Sequence, residues 1–157
     1  MSVYCIDTSA LIAAWAERYP IEHFPPFWDA LAKLIEAGNM IAPKEVEIEC
    51  GKKSDELAAW LKPFNRMFIE PDENIQLRVA ALLTKFPRLV AERKNRTSAD
   101  PFVIGLAIER GAIIITEEKP TRSSARPNIP DVIADEAFAA SHIDLLALIR
   151  AEKWIFK

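Results

Sequence analysis

Short apolar runs that alternate with helical segments are the feature that most limits how this chain folds. The runs VYCI (3–6), NMIA (39–42) and AIIIT (112–116) favour strands, and segments with helical periodicity lie between them. Strands that are joined through helices pair in parallel, and the helices then cover both faces of the sheet. The pattern therefore predicts an α/β fold with a parallel sheet.

Length and composition fit one folded domain over residues 1–157. Half of the residues are hydrophobic and 27% are charged, which is typical of a globular protein, and no repeat or interdomain linker interrupts the chain. The formal net charge is -3. This balance argues against a protein that coats nucleic acid, although it leaves room for a local basic patch.

Capping residues predict where several helices begin and end. Ser54 is expected as an N-cap, Pro43 as the first residue of a helix, and Gly111 as a helix end. Asp100, followed by Pro101, taken alone favours an N-cap. Near the end of the chain we expect helical segments around 131–140 and 143–153, followed by a last strand at WIF (154–156).

The two cysteines, Cys5 and Cys50, form neither a disulfide framework nor a CxxC metal site. The strand starts almost at Met1, so a secretory signal is not expected, and no apolar run reaches the roughly 18 residues of a membrane span. We therefore expect a cytoplasmic protein that makes no membrane contact.

Acidic residues follow the predicted strands. Asp7 ends the first strand, Glu45 and Glu49 share one helix face after the second, and Glu117 and Glu118 follow AIIIT. Asp100 opens the helix that leads into AIIIT. Since parallel strands end at the same sheet edge, where ligands bind in such folds, these acids are expected to converge there.

Each acid also has a simpler interpretation. Asp100 is a good N-cap, Glu45 and Glu49 suit a solvated helix face, and Glu117 and Glu118 suit a loop. Asp7 is harder to explain structurally, because it directly follows residues that look buried. The convergence of the acids, rather than any single position, indicates a site.

Carboxylates gathered at one place repel each other, and a divalent cation relieves that repulsion. Hard oxygen ligands suit Mg²⁺ or Mn²⁺. Only His23 and His142 are present, which gives little support for zinc or a histidine-based triad, and neither GxxxxGK[ST] nor GxGxxG occurs.

Four segments in order, IDTSAL, PKEVEIE, SADPFVIGLA and IIITEE, resemble the successive motifs of PIN-domain ribonucleases, close to VapC-type toxins. RYPIEHFPPFWDAL, TEEKP and IPDV are similar to an uncharacterised bacterial branch of that family. The resemblance spans nearly the whole chain. It implies a three-layer α/β/α sandwich with a parallel sheet of about five strands.

The resemblance also implies site residues. The family's four acids match Asp7, Glu49, Asp100 and Glu118, with Glu45 as an alternative or auxiliary to Glu49. The fourth acid is usually an aspartate in T-x-D, so Glu118 departs from the pattern, and Glu117 is its alternative. Ser9 and Thr116 are small polar neighbours that we expect to contact substrate.

The activity implied is Mg²⁺- or Mn²⁺-dependent hydrolysis of RNA phosphodiesters by one or two ions held on the acids. An acidic cleft repels phosphate, so nearby basic loops are expected to hold the RNA backbone. One loop carries Lys119, Arg122 and Arg126, and the other carries Arg93, Lys94 and Arg96.

A toxin of this family implies a cognate antitoxin, and homodimers are common among its members. Trp28 and Trp60 lie on amphipathic helices that such a partner could contact, although core packing is the expected role of both. Two other functions compete. One is a catalytically silent PIN-like module that binds RNA or protein; the other is a phosphoacceptor or phosphatase with Asp7 as nucleophile, which the absence of D-x-D disfavours.

Overall fold

Five parallel strands form the central sheet of the computed structural model, which describes residues 2–89, 99–123, 125 and 127–157. The strand order is β3-β2-β1-β4-β5, and every neighbouring pair is parallel. The strands are β1 (Tyr4–Ile6), β2 (Met40–Pro43), β3 (Phe68–Ile69), β4 (Ile113–Ile115) and β5 (His142–Ile143).

Helices connect the strands and flank the sheet. The α-helices of the described residues are α1 (Thr8–Ala13), α2 (Pro25–Glu36), α3 (Lys44–Lys53), α4 (Asp55–Leu61), α5 (Glu73–Lys85), α6 (Asp100–Arg110), α7 (Ile129–Ile133) and α8 (Leu145–Ala151). A π-helical turn (Ala14–Arg18) extends α1, and 3₁₀ turns lie at Lys62–Met67, Pro87–Leu89 and Glu136–Phe138. No described helix is long and apolar enough to cross a membrane.

The middle strand β1 is buried along its whole length, as a strand covered by helices on both faces must be. All four residues of β2 are buried as well, and so are Ile114 and Ile115 of β4. The predicted α/β sandwich with a parallel sheet of about five strands is therefore confirmed.

The register of β1 and β4 brings two chain segments together at the carboxyl edge of the sheet. Ile6 pairs with Ile115, so both strands end at the same level. The backbone N–H of Asp7 still donates to the Ile115 carbonyl at 3.0 Å. The residues that follow these strands, Asp7 and Thr116, therefore leave the sheet side by side.

Several predicted boundaries are confirmed and others are wrong. The Ser54 hydroxyl accepts from the Leu57 N–H at 3.2 Å as an N-cap, and Gly111 ends α6 in the left-handed region at φ 61°. Pro43 instead belongs to β2 and precedes its helix. Ala99, not Asp100, occupies the N-cap position of α6.

The last strand is β5, and residues 154–156 form no strand. Their aromatic rings pack at the edge of the core instead: Trp154 and Phe156 both contact Phe27. The short strand β3 was not predicted. Its residues, Phe68 and Ile69, are too few to show any alternation of their own.

Trp28 belongs to the core, as expected. Its side chain is 1% exposed, its indole N–H donates to the Tyr19 carbonyl at 2.7 Å, and its ring meets Trp15, Phe27 and Trp60 edge-on. A fully buried, hydrogen-bonded indole has no surface to offer a partner.

Candidate metal centre

Asp7 sits at the point where β1 turns into α1. It is fully buried, and its Oδ1 accepts the backbone N–H of Ala10 at 2.8 Å, which caps the helix. An aspartate is a favoured N-cap because its oxygen satisfies a backbone donor that the first helical turn leaves open. Local structure therefore explains one oxygen of Asp7, and the other one faces the neighbouring strand.

Two hydroxyl groups hold the carboxylate of Asp7. Thr116, directly after β4, donates to Oδ2 at 2.5 Å, and Ser9 donates within 2.9 Å of both oxygens. Each hydroxyl also accepts a backbone N–H, from Glu118 in the case of Thr116 and from Glu117 in the case of Ser9. The two side chains therefore fasten Asp7 to the loop after β4; a contact of either with substrate stays a prediction.

The two glutamates after Thr116 point to different partners. Glu117 Oε1 pairs with Arg18 at 2.6 Å and Oε2 accepts the N–H of Leu145 at 3.1 Å, so its carboxylate ties the loop to α8. Glu118 Oε1 accepts the N–H of Ile129 at 3.0 Å. Glu118, rather than Glu117, belongs to the acidic cluster described next.

Three carboxylates meet at the carboxyl edge of the sheet. Asp7, Asp100 and Glu118 each place one oxygen within 4.8 Å of the others. Asp100 is 4% exposed and reaches the cluster from the first residue of α6. Among the described residues this is the one group of acids, cysteines or histidines close enough to share an ion.

The cluster fits a hard divalent cation. Oxygens bound to one Mg²⁺ at about 2.1 Å stand roughly 3 to 4.2 Å apart, close to the spacing found here. All three donors are carboxylate oxygens, without sulfur or imidazole, and this set favours Mg²⁺ or Mn²⁺ over softer metals. The residues present could therefore bind a metal ion.

The pKa of Asp7 is further evidence that negatively charged carboxylates crowd together at this site. Burial and the nearby charge of Glu118 raise the pKa of Asp7 to about 7, although the hydrogen bonds from Thr116, Ala10 and Ser9 pull it down. A carboxyl group with such a pKa is one whose negative charge lacks a counter-charge. A cation at the cluster would supply one.

Glu49 lies outside that group of three. It is 8% exposed, and its Oε1 accepts the N–H of Ala99 at 2.7 Å, immediately before Asp100. Burial raises the pKa of Glu49, while the bond from Ala99 opposes the rise. The Thr8 hydroxyl also lies near enough to lower this pKa, without meeting hydrogen-bond geometry. The predicted role of Glu49 as a ligand stays a prediction; the contact observed is with the start of α6.

Glu45 is also outside the group. Burial, together with the charge of Glu70 after β3, raises the pKa of Glu45, and its buried Oε1 has no hydrogen-bond partner among the described residues. The two glutamates of α3 thus have different surroundings, one beside α6 and one beside Glu70. A ligand role for Glu45 likewise stays a prediction.

The basic loop after the cluster is shaped by one aspartate. Asp131 accepts the backbone N–H groups of Thr121, Arg122 and Asn128 at 2.8 to 3.0 Å. Burial raises the pKa of Asp131, but these hydrogen bonds outweigh it, and the pKa lies below its usual range. Lys119 and Arg122 are exposed on this loop, and their contact with substrate stays a prediction.

Four of the predicted substrate-binding cations, Arg93, Lys94, Arg96 and Arg126, lie outside the described residues. The sequence did not single out Arg18 or a structural role for Asp131. The resemblance of IPDV to the family implies no role for Asp131. An aspartate two residues after the start of a helix is a signal for loop capping that could have been used.

The chain belongs to the family described as "Domain of unknown function (DUF4411)", whose model matches residues 4–156. No curated protein matches the sequence significantly.

Two solved structures are similar to this one. The structure of VapBC2 from Rickettsia felis, bound to a DNA fragment from its promoter, superposes with a TM-score of 0.55 at 16% identity, over 90% of this chain and 98% of that one. PAE2754 from Pyrobaculum aerophilum superposes with a TM-score of 0.54 at 17% identity, over 98% and 100%. At such identities the likeness shows the fold, which is PIN-like.

Proposed function

We propose that this protein is a metal-dependent endoribonuclease and the toxin of a toxin–antitoxin pair. The observation that carries the proposal is the meeting of Asp7, Asp100 and Glu118, drawn from three distant chain segments, at one sheet edge. A buried like-charged cluster is costly for folding alone, so its presence favours a function.

Asp7, Asp100 and Glu118 would hold Mg²⁺ or Mn²⁺. Bound there, the ion would lower the pKa of a water molecule and neutralise charge that develops on the phosphodiester. Ser9 and Thr116 orient the carboxylate of Asp7, so both of its oxygens stay fixed while substrate binds. Glu117 holds the loop through Arg18 and α8, which fixes the backbone from which Glu118 projects.

RNA is the proposed substrate. The exposed Lys119 directly follows Glu118 in the chain, and Arg122 lies on the same loop, so cations border the acidic site. Contacts from such residues to the phosphate backbone position a strand without reading its sequence. The site suits a polyanion that lies across a metal centre.

The toxin assignment rests on the PIN-like fold and on the resemblance of the motifs to VapC-type toxins. One similar structure is of VapBC2 bound to a fragment of promoter DNA. We infer a cognate antitoxin for this chain as well, and a homodimer is consistent with the family resemblance. Detection of an upstream reading frame whose product co-purifies with this chain would test the pairing.

The nuclease is tested by incubating the protein with single-stranded RNA and Mn²⁺, with a matched pair of variants at adjacent positions. Wild type is expected to cleave with Mn²⁺ and to stop in excess EDTA. Glu118→Gln should lose cleavage, because an amide binds a hard cation poorly. Glu117→Gln loses the ion pair with Arg18 but keeps an oxygen that can accept the Leu145 N–H, so the folded variant should still cleave with Mn²⁺ and lose much less activity than Glu118→Gln.

RNA binding without any manganese-dependent cleavage by wild type would contradict the nuclease and favour the silent PIN-like module. Equal cleavage by Glu118→Gln and wild type would instead place the chemistry elsewhere.

A further inference from the structure

A small polar pocket adjoins the acidic cluster on the β5 side. It has a volume of about 200 Å³, and Thr116 and Glu118, which belong to the cluster region, also form part of its wall. The opposite wall comes from β5 and the residue after it. These residues of the opposite wall are His142, Ile143 and Asp144, and the remaining lining residues are Arg18, Glu117, Lys119 and Pro120.

The acids of this pocket are already engaged. Glu117 pairs with Arg18 and accepts the Leu145 N–H, and Asp144 accepts the Ala147 N–H at 2.8 Å as the N-cap of α8. Glu118 accepts from Ile129 and faces the cluster. Arg18 therefore offsets the charge of Glu117, and a cation bound at the cluster would offset that of Glu118.

Two basic side chains of the pocket have no partner among the described residues. The side chains of Lys119 and His142 are exposed and make no hydrogen bond or ion pair with any part of the chain that the structure describes. Both line the pocket, and each offers N–H donors, with a full positive charge in the case of Lys119. Donors without partners beside the acidic cluster are available to a ligand.

A π-helical turn of the backbone brings a third basic side chain, Arg18, to the pocket. The turn Ala14–Arg18 is π-helical, and the N–H of Tyr19 donates five residues back to the Ala14 carbonyl at 2.9 Å. Such turns are rare and occur frequently at functional sites. Here the turn carries Arg18 to Glu117, where its side chain remains 56% exposed.

The pocket is smaller than the roughly 300–1,000 Å³ of sites that enclose a whole small molecule. A volume of about 200 Å³ better fits one unit of a polymer that continues into the adjacent cluster. A phosphodiester is the unit that lysine, histidine and arginine donors recognise together.

Resting on the proposed nuclease function, we propose that this pocket, lined by Arg18, Lys119 and His142, binds the phosphate of the nucleotide that neighbours the scissile bond. Lys119 and His142 donate to that phosphate, while Arg18 offsets the charge of Glu117. The pocket thereby fixes the strand relative to the acidic cluster. Its contribution is to RNA affinity, not to the chemical step.

Fluorescence anisotropy with a short labelled single-stranded RNA and EDTA present measures this contribution without cleavage. Lys119→Met should weaken binding about three- to tenfold and reduce the slope of log affinity against log salt by about 0.7. His142→Gln should weaken binding by a smaller factor. Lys33→Met is the same charge change in a separate pocket that Lys33 lines together with Asn39, just before β2, and it should leave affinity and slope unchanged.

RNA with a single uncharged methylphosphonate locates the contact. At one position the modification should weaken binding to wild type and have no further effect on Lys119→Met, because the two changes remove the same interaction. In cleavage assays, Lys119→Met should raise KM severalfold with kcat within about twofold of wild type.

These experiments distinguish failure of the nuclease proposal from failure of the phosphate-binding pocket. If wild type binds RNA with the Lys119-dependent slope but never cleaves it, the nuclease fails, and the binding of an RNA phosphate in this pocket stands. If Lys119→Met and His142→Gln both bind with wild-type affinity and slope, the subsite is overturned. It is also overturned if wild type does not bind single-stranded RNA at low salt.

Discussion

The hydroxyl of Thr116 donates a 2.5 Å hydrogen bond to Oδ2 of Asp7, across 109 positions of sequence. This contact joins the ends of β1 and β4 and lowers the pKa of a carboxyl group that burial otherwise raises. Because Thr116 Oγ1 also accepts the N–H of Glu118 at 3.0 Å, one hydroxyl orients two members of the cluster.

Thr116→Val removes this hydroxyl and keeps the shape of the side chain. We expect manganese affinity to fall about 10- to 100-fold, the usual effect of removing a group that orients a metal ligand. Thr116→Ser, which keeps a hydroxyl, should retain most of the affinity. Calorimetric titration with Mn²⁺ measures both; equal affinity in the valine variant would show that Asp7 needs no such support.

Without metal, Asp7 makes folding less favourable as pH rises. Its pKa of about 7 in the fold exceeds the 3.8 of an unperturbed aspartate, so the folded state binds more protons between those values. The contribution is fully present below pH 4 and is lost as pH rises through 7, on the order of 4 kcal/mol in all.

Denaturant titrations of wild type and Asp7→Asn in EDTA isolate this effect. The stability of wild type relative to the variant should decline from pH 4.5 to 7.5 and level off above that. Asparagine caps helices as well as aspartate does, so the cap of α1 is preserved. Parallel pH curves for the two proteins would show that Asp7 titrates normally.

Stabilisation by manganese should follow the opposite trend with pH. Protons compete with metal for Asp7 below its pKa, so the rise in Tm at a fixed Mn²⁺ concentration should be larger at pH 8 than at pH 6. A hundredfold excess over Kd adds about 2.7 kcal/mol. Thermal melts check this, and a rise in Tm that is independent of pH would place the ion away from Asp7.

Variants of Glu49 show whether this residue binds the metal ion or only supports the start of α6. Its Oε1 accepts the Ala99 N–H, and glutamine retains such an oxygen while losing the charge. If Glu49 acts only through its contact with Ala99, Glu49→Gln should keep manganese affinity and the Tm close to wild type. Glu49→Ala leaves the buried N–H unpaired and should cost about 1–3 kcal/mol of unfolding free energy. Loss of manganese binding in a folded Glu49→Gln would instead identify Glu49 as a ligand.

The order of apolar runs and helices was sufficient to predict the sheet, because β1, β2 and β4 consist almost wholly of buried residues. The two edge strands could not be predicted from the sequence. β3 and β5 have two residues each, and a pair of residues has no period to detect. Their existence depends on pairing with a neighbour, which is a tertiary effect.

At the site, the order of strands and helices predicted that acids converge, and only the family resemblance favoured Glu118 over Glu117. Asp7 and Asp100 follow from strand and helix ends, whereas Glu117 and Glu118 are indistinguishable by spacing. Glu118 rather than Glu117 joins the cluster because the carboxylate of Glu117 is bound by Arg18 and by the N–H of Leu145. Likewise, Glu49 differs from Glu45 only through contacts with other segments, which helical periodicity cannot supply.

The rate of manganese-dependent RNA cleavage by Asp7→Asn and Asp100→Asn tests the central claim most directly. Each change removes one charge from the cluster and preserves side-chain shape, so metal-free stability should hold or rise as repulsion falls. Both rates should drop to the level that wild type shows in EDTA. Cleavage at the wild-type rate in both folded variants, still dependent on manganese, would contradict a metal-dependent nuclease centred on these carboxylates.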